Sequence, residues 1–427
     1  MPIGPAFSKR LLPILGELAR EYGTPFHVYD QTGIAATHRA LVRAFNGSKF
    51  RQYFAVKALP NPAVLDTLLR EGSGFDCSSP VELRLAEQVG ASGSTVVFTP
   101  NNVASAEYEL AMQLGALVTF DDRAALAQLR ELPPVVAFRV APNAGQSGTI
   151  LMGDQAHSKF GVPHHEAQQA YREAWDRGAR RFGIHSMTIA NELDADRMAQ
   201  AAVQLVELAA RISDQLGVPF EYINFGGGPG IPYRPGEAGF RFDRYACAIR
   251  DAVDKFFGVA RQPAILLECG RCVTGPHGVL VTTVVSKSIK GRIIVGVDAS
   301  MSALMRPAMY PTAYHHITSP LAVGRMQVEA DVVGPLCENN DKFGVSRTLP
   351  DPRLGDILLI HDCGAHGHSM GFNYNGRLRP AELMLTHRGD VVEIRRRETF
   401  EDYVATVGYR EVPLRLRQPS TSTIAGS

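Results

Sequence analysis

Along the first two-thirds of the chain, short β-branched and aromatic runs alternate with longer stretches whose apolar residues recur at helical spacing. The runs predict strands at 52–58, 74–79, 95–100, 117–122, 135–142, 181–187, 222–228 and 264–270. Between them lie amphipathic segments such as PAVLDTLLREG and SPVELRLAEQVG. In the second of these, Val81, Leu83, Leu85, Ala86 and Val89 give a mostly helical spacing. Eight strands alternating with helices is the count of a (β/α)8 TIM barrel, the parallel α/β architecture that closes on itself. An open doubly wound sheet is the alternative, but it rarely needs eight regularly spaced units.

After about residue 276 the rhythm changes. VLVTTVVSKSI, GRIIVGVDA, MQVEADVVGPL, GDILLIHDCGA, AELMLTHRG and VVEIRRRE are strand-like runs separated by Gly, Pro and Asp turns. They predict a second, all-β domain at the C-terminal side. The early run TPFHVYD precedes the barrel and is a candidate to join that sheet. The predicted organisation is an N-terminal segment 1–30 belonging with the β domain, a barrel over 31–275, the β domain over 276–417, and a disordered tail over 418–427 that is low in large apolar residues. No repeat of fixed period is present.

Composition narrows the class without naming a function. A chain of 427 residues suits two domains, and 45% hydrophobic content supports a sizeable core. Lys+Arg 44 against Asp+Glu 43 leaves a formal charge of +1. That balance gives no electrostatic case for a nucleic acid or an anionic membrane as partner. No uncharged apolar run of about 18 residues is present, as a bilayer span would need. The N-terminal stretch, interrupted by Glu17, Arg20 and Glu21, is expected to be an amphipathic helix and not a signal peptide. Six scattered cysteines point to a reducing, cytoplasmic setting. Cys269 and Cys272 form a C-x-x-C, but zinc would need a second ligand pair at comparable spacing, so no metal is expected and two reduced thiols are the simpler reading.

Polar residues are unevenly placed in the eight predicted strands. Lys57, Asp76, His185, the Gly226–Gly228 run and Glu268 all fall at or near C-terminal strand ends, the barrel face where active sites form. A lysine ending a buried strand is costly, and the usual relief is a depressed pKa or covalent use; a structural salt bridge is the plainer alternative. Gly226, Gly227, Gly228, Pro229 and Gly230 follow a strand directly, so backbone N–H groups there can approach a phosphate, although a glycine run can also be only a tight turn. Glu268 in a barrel mouth needs a cationic partner, and a protonated pyridine nitrogen is one candidate. Lysine, phosphate loop and carboxylate together meet the needs of pyridoxal 5'-phosphate.

YFAVKALPNPAVLDTL, GFDCSSPVELRLA, HSKFGV, INFGGGPGIPY, ECGRCVTGP, MRPAMY, VGPLCENND and CGAHGHSMGFNYNGRLRPAEL occur in that order between Thr24 and Ala405. As a set they resemble the fold-type III pyridoxal-phosphate decarboxylases, most nearly the diaminopimelate decarboxylases and less closely the ornithine decarboxylases. The resemblance implies an alanine-racemase-like barrel with a β domain, and a homodimer with shared active sites. Lys57 would hold the cofactor as a Schiff base, with Asp76 nearby and Glu268 on the pyridine nitrogen. Gly226, Gly227 and Gly228, with the backbone of Gly270 and Arg271, would hold the phosphate. Cys337 and Glu338 would reach across the dimer interface, Cys337 as proton donor after CO2 leaves. Arg271, Arg306, Tyr310 and Glu338 match the residues that grip the distal end of diaminopimelate. A distal carboxylate asks for guanidinium forks and a distal ammonium for a carboxylate. Ordinary alternatives exist: Arg306 bridging to a surface acid, Tyr310 in the β-domain core.

Two positions depart from the family. Met187 stands where a histidine usually stacks on the cofactor ring, while His185 matches an earlier histidine of many members. His366, in Gly364–Ala365–His366, replaces a tyrosine that contacts phosphate or substrate. The expected reaction is decarboxylation of meso-diaminopimelate to L-lysine. The alternative is a paralogue acting on a related carboxylated amino acid in siderophore or antibiotic synthesis, which Met187 and His366 favour. A racemase would need a second base in place of the Cys337–Glu338 pair, and an inactive regulatory homologue tends to lose the lysine, the carboxylate or the cysteine.

Overall fold

A computed structural model describes residues 3–141, 159–187, 189–258 and 261–408. The 418–427 tail, the end of the 276–417 region, Thr188 and the His157–Ser158 pair of HSKFGV lie outside these residues. Eight parallel strands close into a barrel: β2 (Phe50–Ala55), β3 (Gly74–Cys77), β4 (Val96–Phe98), β5 (Leu117–Phe120), β6 (Val136–Arg139), β7 (Phe182–His185), β8 (Phe220–Asn224) and β9 (Ala264–Leu267), with β9 pairing back onto β2. β1 (Phe26–Asp30) precedes them. The barrel is the one the alternating pattern calls for, but each strand is shorter than its run. The difference matters at one place, because Lys57 sits on the 3-10 turn Val56–Ala58 just past β2 and not on the strand itself.

Helices pack outside the barrel, and their starts are written locally. Asn61 accepts a hydrogen bond from the Ala63 N–H (3.1 Å) to open helix Pro62–Arg70, and Ser79 does the same from Glu82 (3.3 Å) for helix Pro80–Gln88. In the latter, Leu83 and Ala86 are buried, whereas Val81, counted on the apolar face from spacing, is exposed in the first turn.

Strand alternation separates the core from the site. Phe54, Phe75, Phe98, Phe138, Ile184, Ile223 and Leu267 point outward to the helices. Their neighbours Tyr53, Val97, Ala137, Tyr222 and Leu266 fill the barrel interior. Gly74 and Gly183 make room for the tyrosine rings: a Cβ on either would lie 2.5 Å from Tyr53 or 2.3 Å from Tyr222. Two residues further along each strand, the same inward face reaches the open rim.

The second unit is a nine-stranded sheet of β1, β10 (Gly278–Ile289), β11 (Ile293–Val297), β12 (Ile317–Thr318), β13 (Gln327–Val333), β14 (Lys342–Pro350), β15 (Ile357–Ile360), β16 (Ala381–Leu385) and β17 (Val391–Arg395). β1 lies between β10, antiparallel to it, and β16, parallel to it. The early TPFHVYD run therefore pairs inside this sheet. Among the described residues, no helix is long and apolar enough to cross a membrane.

Candidate active site

The inward register carries a polar ring to the barrel mouth. Glu268 is its buried centre. Its Oε1 accepts hydrogen bonds from Asn224 Nδ2 (2.7 Å) and Thr99 Oγ1 (3.0 Å), and Oε2 lies 3.1 Å from His185 Nε2. Burial works to raise the Glu268 pKa, but His185, Lys57 and the Asn224 hydrogen bond outweigh it and hold the carboxyl below its usual range. Asp76, also buried, is driven the other way, first by burial and then by the Glu268 charge. Two carboxyl groups in one mouth are thus separated in proton affinity, with Glu268 the firm anion.

Lys57 Nζ lies 3.4 Å from Asp76 Oδ2. Its side chain is half exposed, because it projects into a water-accessible mouth although it sits deep in the molecule. Asp76 raises the lysine pKa, outweighing burial. In place of the depressed pKa that a strand-end lysine suggests, the free protein holds an ion-paired ammonium. Arg139, at the end of β6, is buried with Nη1 3.8 Å from Asp121 Oδ1 and its guanidinium 4.3 Å from the centre of the Phe160 ring.

Between β8 and the following segment, the glycine turn presses its backbone against the mouth. Gly226 and Gly228 have φ of 64° and 116°. A Cβ at Gly227 would meet the Glu268 carbonyl at 2.9 Å, and one at Gly228 the Ile189 carbonyl at 2.5 Å. Side chains are excluded here, leaving backbone available to an anion. Met187 packs on the same turn, its Cβ 2.9 Å from where a Gly226 Cβ would stand. Gly270 is equally confined, 2.8 Å from Ala58 by the same measure, and precedes the short helix Arg271–Thr274.

The β domain closes the mouth from above. His366, in the left-handed region at φ 54°, donates its N–H to the Ala58 carbonyl (2.9 Å), beside Lys57. Burial, then Arg271, Lys57 and Arg306, push its imidazole well below the usual value, so it is neutral there. Arg271 Nη1 donates to the Tyr233 hydroxyl (2.7 Å), and Arg306 lies 4.3 Å from the centre of the Tyr233 ring. Arg306 is 3% exposed. Among the described residues, neither arginine meets a carboxylate, so Arg306 does not bridge to a surface acid. Tyr310 ends the short helix Arg306–Met309 and lines, with Tyr233, Arg306 and Tyr314, a cavity of about 270 Å³.

Cys337 and Glu338 are not brought to this mouth. They lie exposed on the turn between β13 and β14, where the Cys337 N–H is held by Asn375 Oδ1 (2.7 Å). Cys269 and Cys272 are buried free thiols. Thr99, Arg139, Asn224, Tyr233 and His315 belong to the site although none was assigned a role from the sequence; Asn224 and Tyr233 lie toward the two ends of INFGGGPGIPY. The first three occupy the next inward position after Val97, Ala137 and Tyr222, a signal that alternation carries.

Lysine, glycine cradle and buried anion suit pyridoxal phosphate, and His185 Nδ1 is a buried polar atom without a partner among the described residues. Comparison with known proteins agrees. Residues 31–275 match the sequence model described as "Pyridoxal-dependent decarboxylase, pyridoxal binding domain". The chain belongs to this family, the pyridoxal-phosphate-dependent decarboxylases. Within it, the chain is 57% identical over 412 residues to "Protein TabA" of Pseudomonas amygdali pv. tabaci, covering 96% of this chain and 98% of that one. It is 38% identical over 411 residues to the diaminopimelate decarboxylase of Methanothermobacter thermautotrophicus, covering 94% of each. A crystal structure of the diaminopimelate decarboxylase from "m. jannaschii" in co-complex with L-lysine superimposes with a TM-score of 0.85 at 28% identity, over 92% of this chain and 94% of that one.

Proposed function

We propose that the protein decarboxylates an amino acid carrying an amine and a carboxylate at its distal end, with meso-diaminopimelate, giving L-lysine, as the leading substrate. The observation that carries this reading is the pair Arg271 and Arg306, which meet on Tyr233 without an ion pair among the described residues, Arg306 lining a cavity with Tyr310 that Glu192 and Glu237 also border. A buried guanidinium without a counter-charge is costly, and a substrate carboxylate offsets that cost by a two-pronged hydrogen bond.

In this reading Lys57 would carry the cofactor through its amine, Glu268 would face the pyridine nitrogen, and Met187 would cover the ring. Gly226 to Gly228, Gly270 and Arg271 would hold the phosphate through backbone N–H groups, with His366 nearby. Bound there, pyridoxal phosphate supplies an electron sink for the pair left when the bond from Cα to its carboxylate breaks. Asp76 would orient the Lys57 amine through their 3.4 Å contact. Tyr310 and the Tyr233 ring would line the distal pocket. Cys337 of the partner subunit would return a proton to Cα from Sγ, and Glu338 of the partner subunit would meet the distal ammonium; both are exposed on a turn of this chain, as residues serving a neighbour would be. The homodimer is part of the proposal.

A second reading is a paralogous decarboxylase acting on a related carboxylated amino acid. The 57% identity to Protein TabA, against 38% to a diaminopimelate decarboxylase, favours it, as do Met187 and His366 in the pocket. Steady-state CO2 release from meso-diaminopimelate, L-lysine, L-ornithine and carboxylated diamines separates the readings. The first expects meso-diaminopimelate to have the highest kcat/KM. A higher value for another substrate with a distal carboxylate selects the second, and equal turnover of lysine or ornithine overturns both.

A further inference from the structure

Arg306 is held in an unusual way for a buried arginine. Buried cations are commonly offset by carboxylates, which cancel their charge. Here Nη1 donates to His315 Nε2 (2.9 Å) and the guanidinium packs on the Tyr233 face. His315 is fully buried, and its Nδ1 lies 2.7 Å from the His361 carbonyl oxygen. A carbonyl only accepts, so Nδ1 bears the proton and Nε2 is left as acceptor for Arg306. Burial, then Arg306, push the His315 pKa down to about 3, and Arg271 and Arg347 act in the same direction. The imidazole therefore stays neutral at any working pH. Tyr233 treats Arg271 likewise, through its hydroxyl. Each arginine is oriented, yet among the described residues neither forms an ion pair; buried Asp362 feels the Arg306 charge only from beyond ion-pair distance.

We propose that His315 is a positioning residue that sets specificity for an anionic distal group, because it aims Arg306 through a neutral acceptor and leaves the full guanidinium charge to the substrate. The proposal rests on the distal-carboxylate reading above. An acid at 315 would hold Arg306 equally well but satisfy its charge internally. A neutral acceptor of the same reach would keep both orientation and charge.

The test compares His315→Glu, His315→Gln and His315→Asn in the cofactor-loaded enzyme, measuring kcat and KM for meso-diaminopimelate together with bound cofactor by its visible absorbance. His315→Glu is expected to raise KM by about 10- to 100-fold, the range of one charge-assisted hydrogen bond, with kcat and cofactor content little changed. His315→Gln, whose amide oxygen can reach Arg306, should stay within about threefold of wild type, and the shorter Asn should raise KM severalfold. If His315→Glu does not fold, the Gln and Asn pair decides: equal KM values overturn the proposal. Unchanged KM in His315→Glu, or an equal fall of kcat and cofactor content in all three variants, also overturns it. Arg306→Gln measured alongside keeps the two claims apart. If it raises KM while His315→Glu does not, only the role of His315 fails; if it leaves KM unchanged, the distal-carboxylate reading fails.

Discussion

At the scale of residues, the mouth works by giving neighbouring groups different charges. Glu268 remains an anion because three partners supply what water would: Asn224, Thr99 and His185. Asp76, 3.4 Å from the Lys57 amine, is raised first by burial and then by the Glu268 charge. Removing the Glu268 charge should therefore do more harm than loosening its support. Glu268→Gln is expected to lower kcat by about 100- to 1000-fold, the cost of deleting one aimed electrostatic group. Asn224→Ala removes one hydrogen bond to a charged group and should cost about 10-fold. Steady-state kinetics on the best substrate of the panel checks the order; a larger loss from Asn224→Ala would contradict it.

At the scale of elements, the turn after β8 is the part whose shape matters most. Its glycines are required by contact and by backbone angle together, since Gly228 combines φ 116° with a carbonyl 2.5 Å from any Cβ. Gly228→Ala should distort the turn and weaken cofactor binding at least about 10-fold, while the barrel, whose strands it does not touch, stays folded. Titration of cofactor by absorbance, with circular dichroism as control, measures both. Much of this was legible in the sequence. The strand rhythm gives the barrel, and the polar strand ends give Lys57, Asp76, His185, the glycine run and Glu268, because period-two alternation and the βα loops leave few other places for polar groups. Thr99 and Arg139 were legible by the same alternation but carry no motif, and Asn224 was legible both by alternation and by its place in INFGGGPGIPY. The roles of Tyr233, the last residue of INFGGGPGIPY, and of His315 were not legible: they arise only when the β domain sets Arg306 against the barrel, a contact between distant parts of the chain. The protonation of Lys57 also escaped, since it depends on Asp76 reaching across from β3 and on water entering the mouth.

At the scale of the whole molecule, Glu382 on β16 ties the two units. It accepts from Tyr29 (2.7 Å) on β1 and from Asn61 (3.1 Å) at the start of a barrel helix, and it pairs with Arg395. Burial would raise its pKa, but His368, Arg395 and the Tyr29 hydrogen bond hold it down at about 2. A carboxyl depressed on folding adds stability above its unfolded value, near 4.5, and loses it as pH falls toward 2. Glu382→Gln should then cost about 1.5–3 kcal/mol near neutrality, and the gap from wild type should close between about pH 5 and pH 2. Thermal unfolding across that range tests it, and parallel curves would count against it. The same joint brings the His366 loop over Lys57, so the assembled molecule converges on one amine. Borohydride reduction of the cofactor-loaded protein, followed by peptide mass mapping, addresses that amine directly. The account predicts a single pyridoxyl adduct on the peptide bearing Lys57, absent from Lys57→Ala, which should also be inactive. An adduct on another lysine, or full activity in Lys57→Ala, would contradict it.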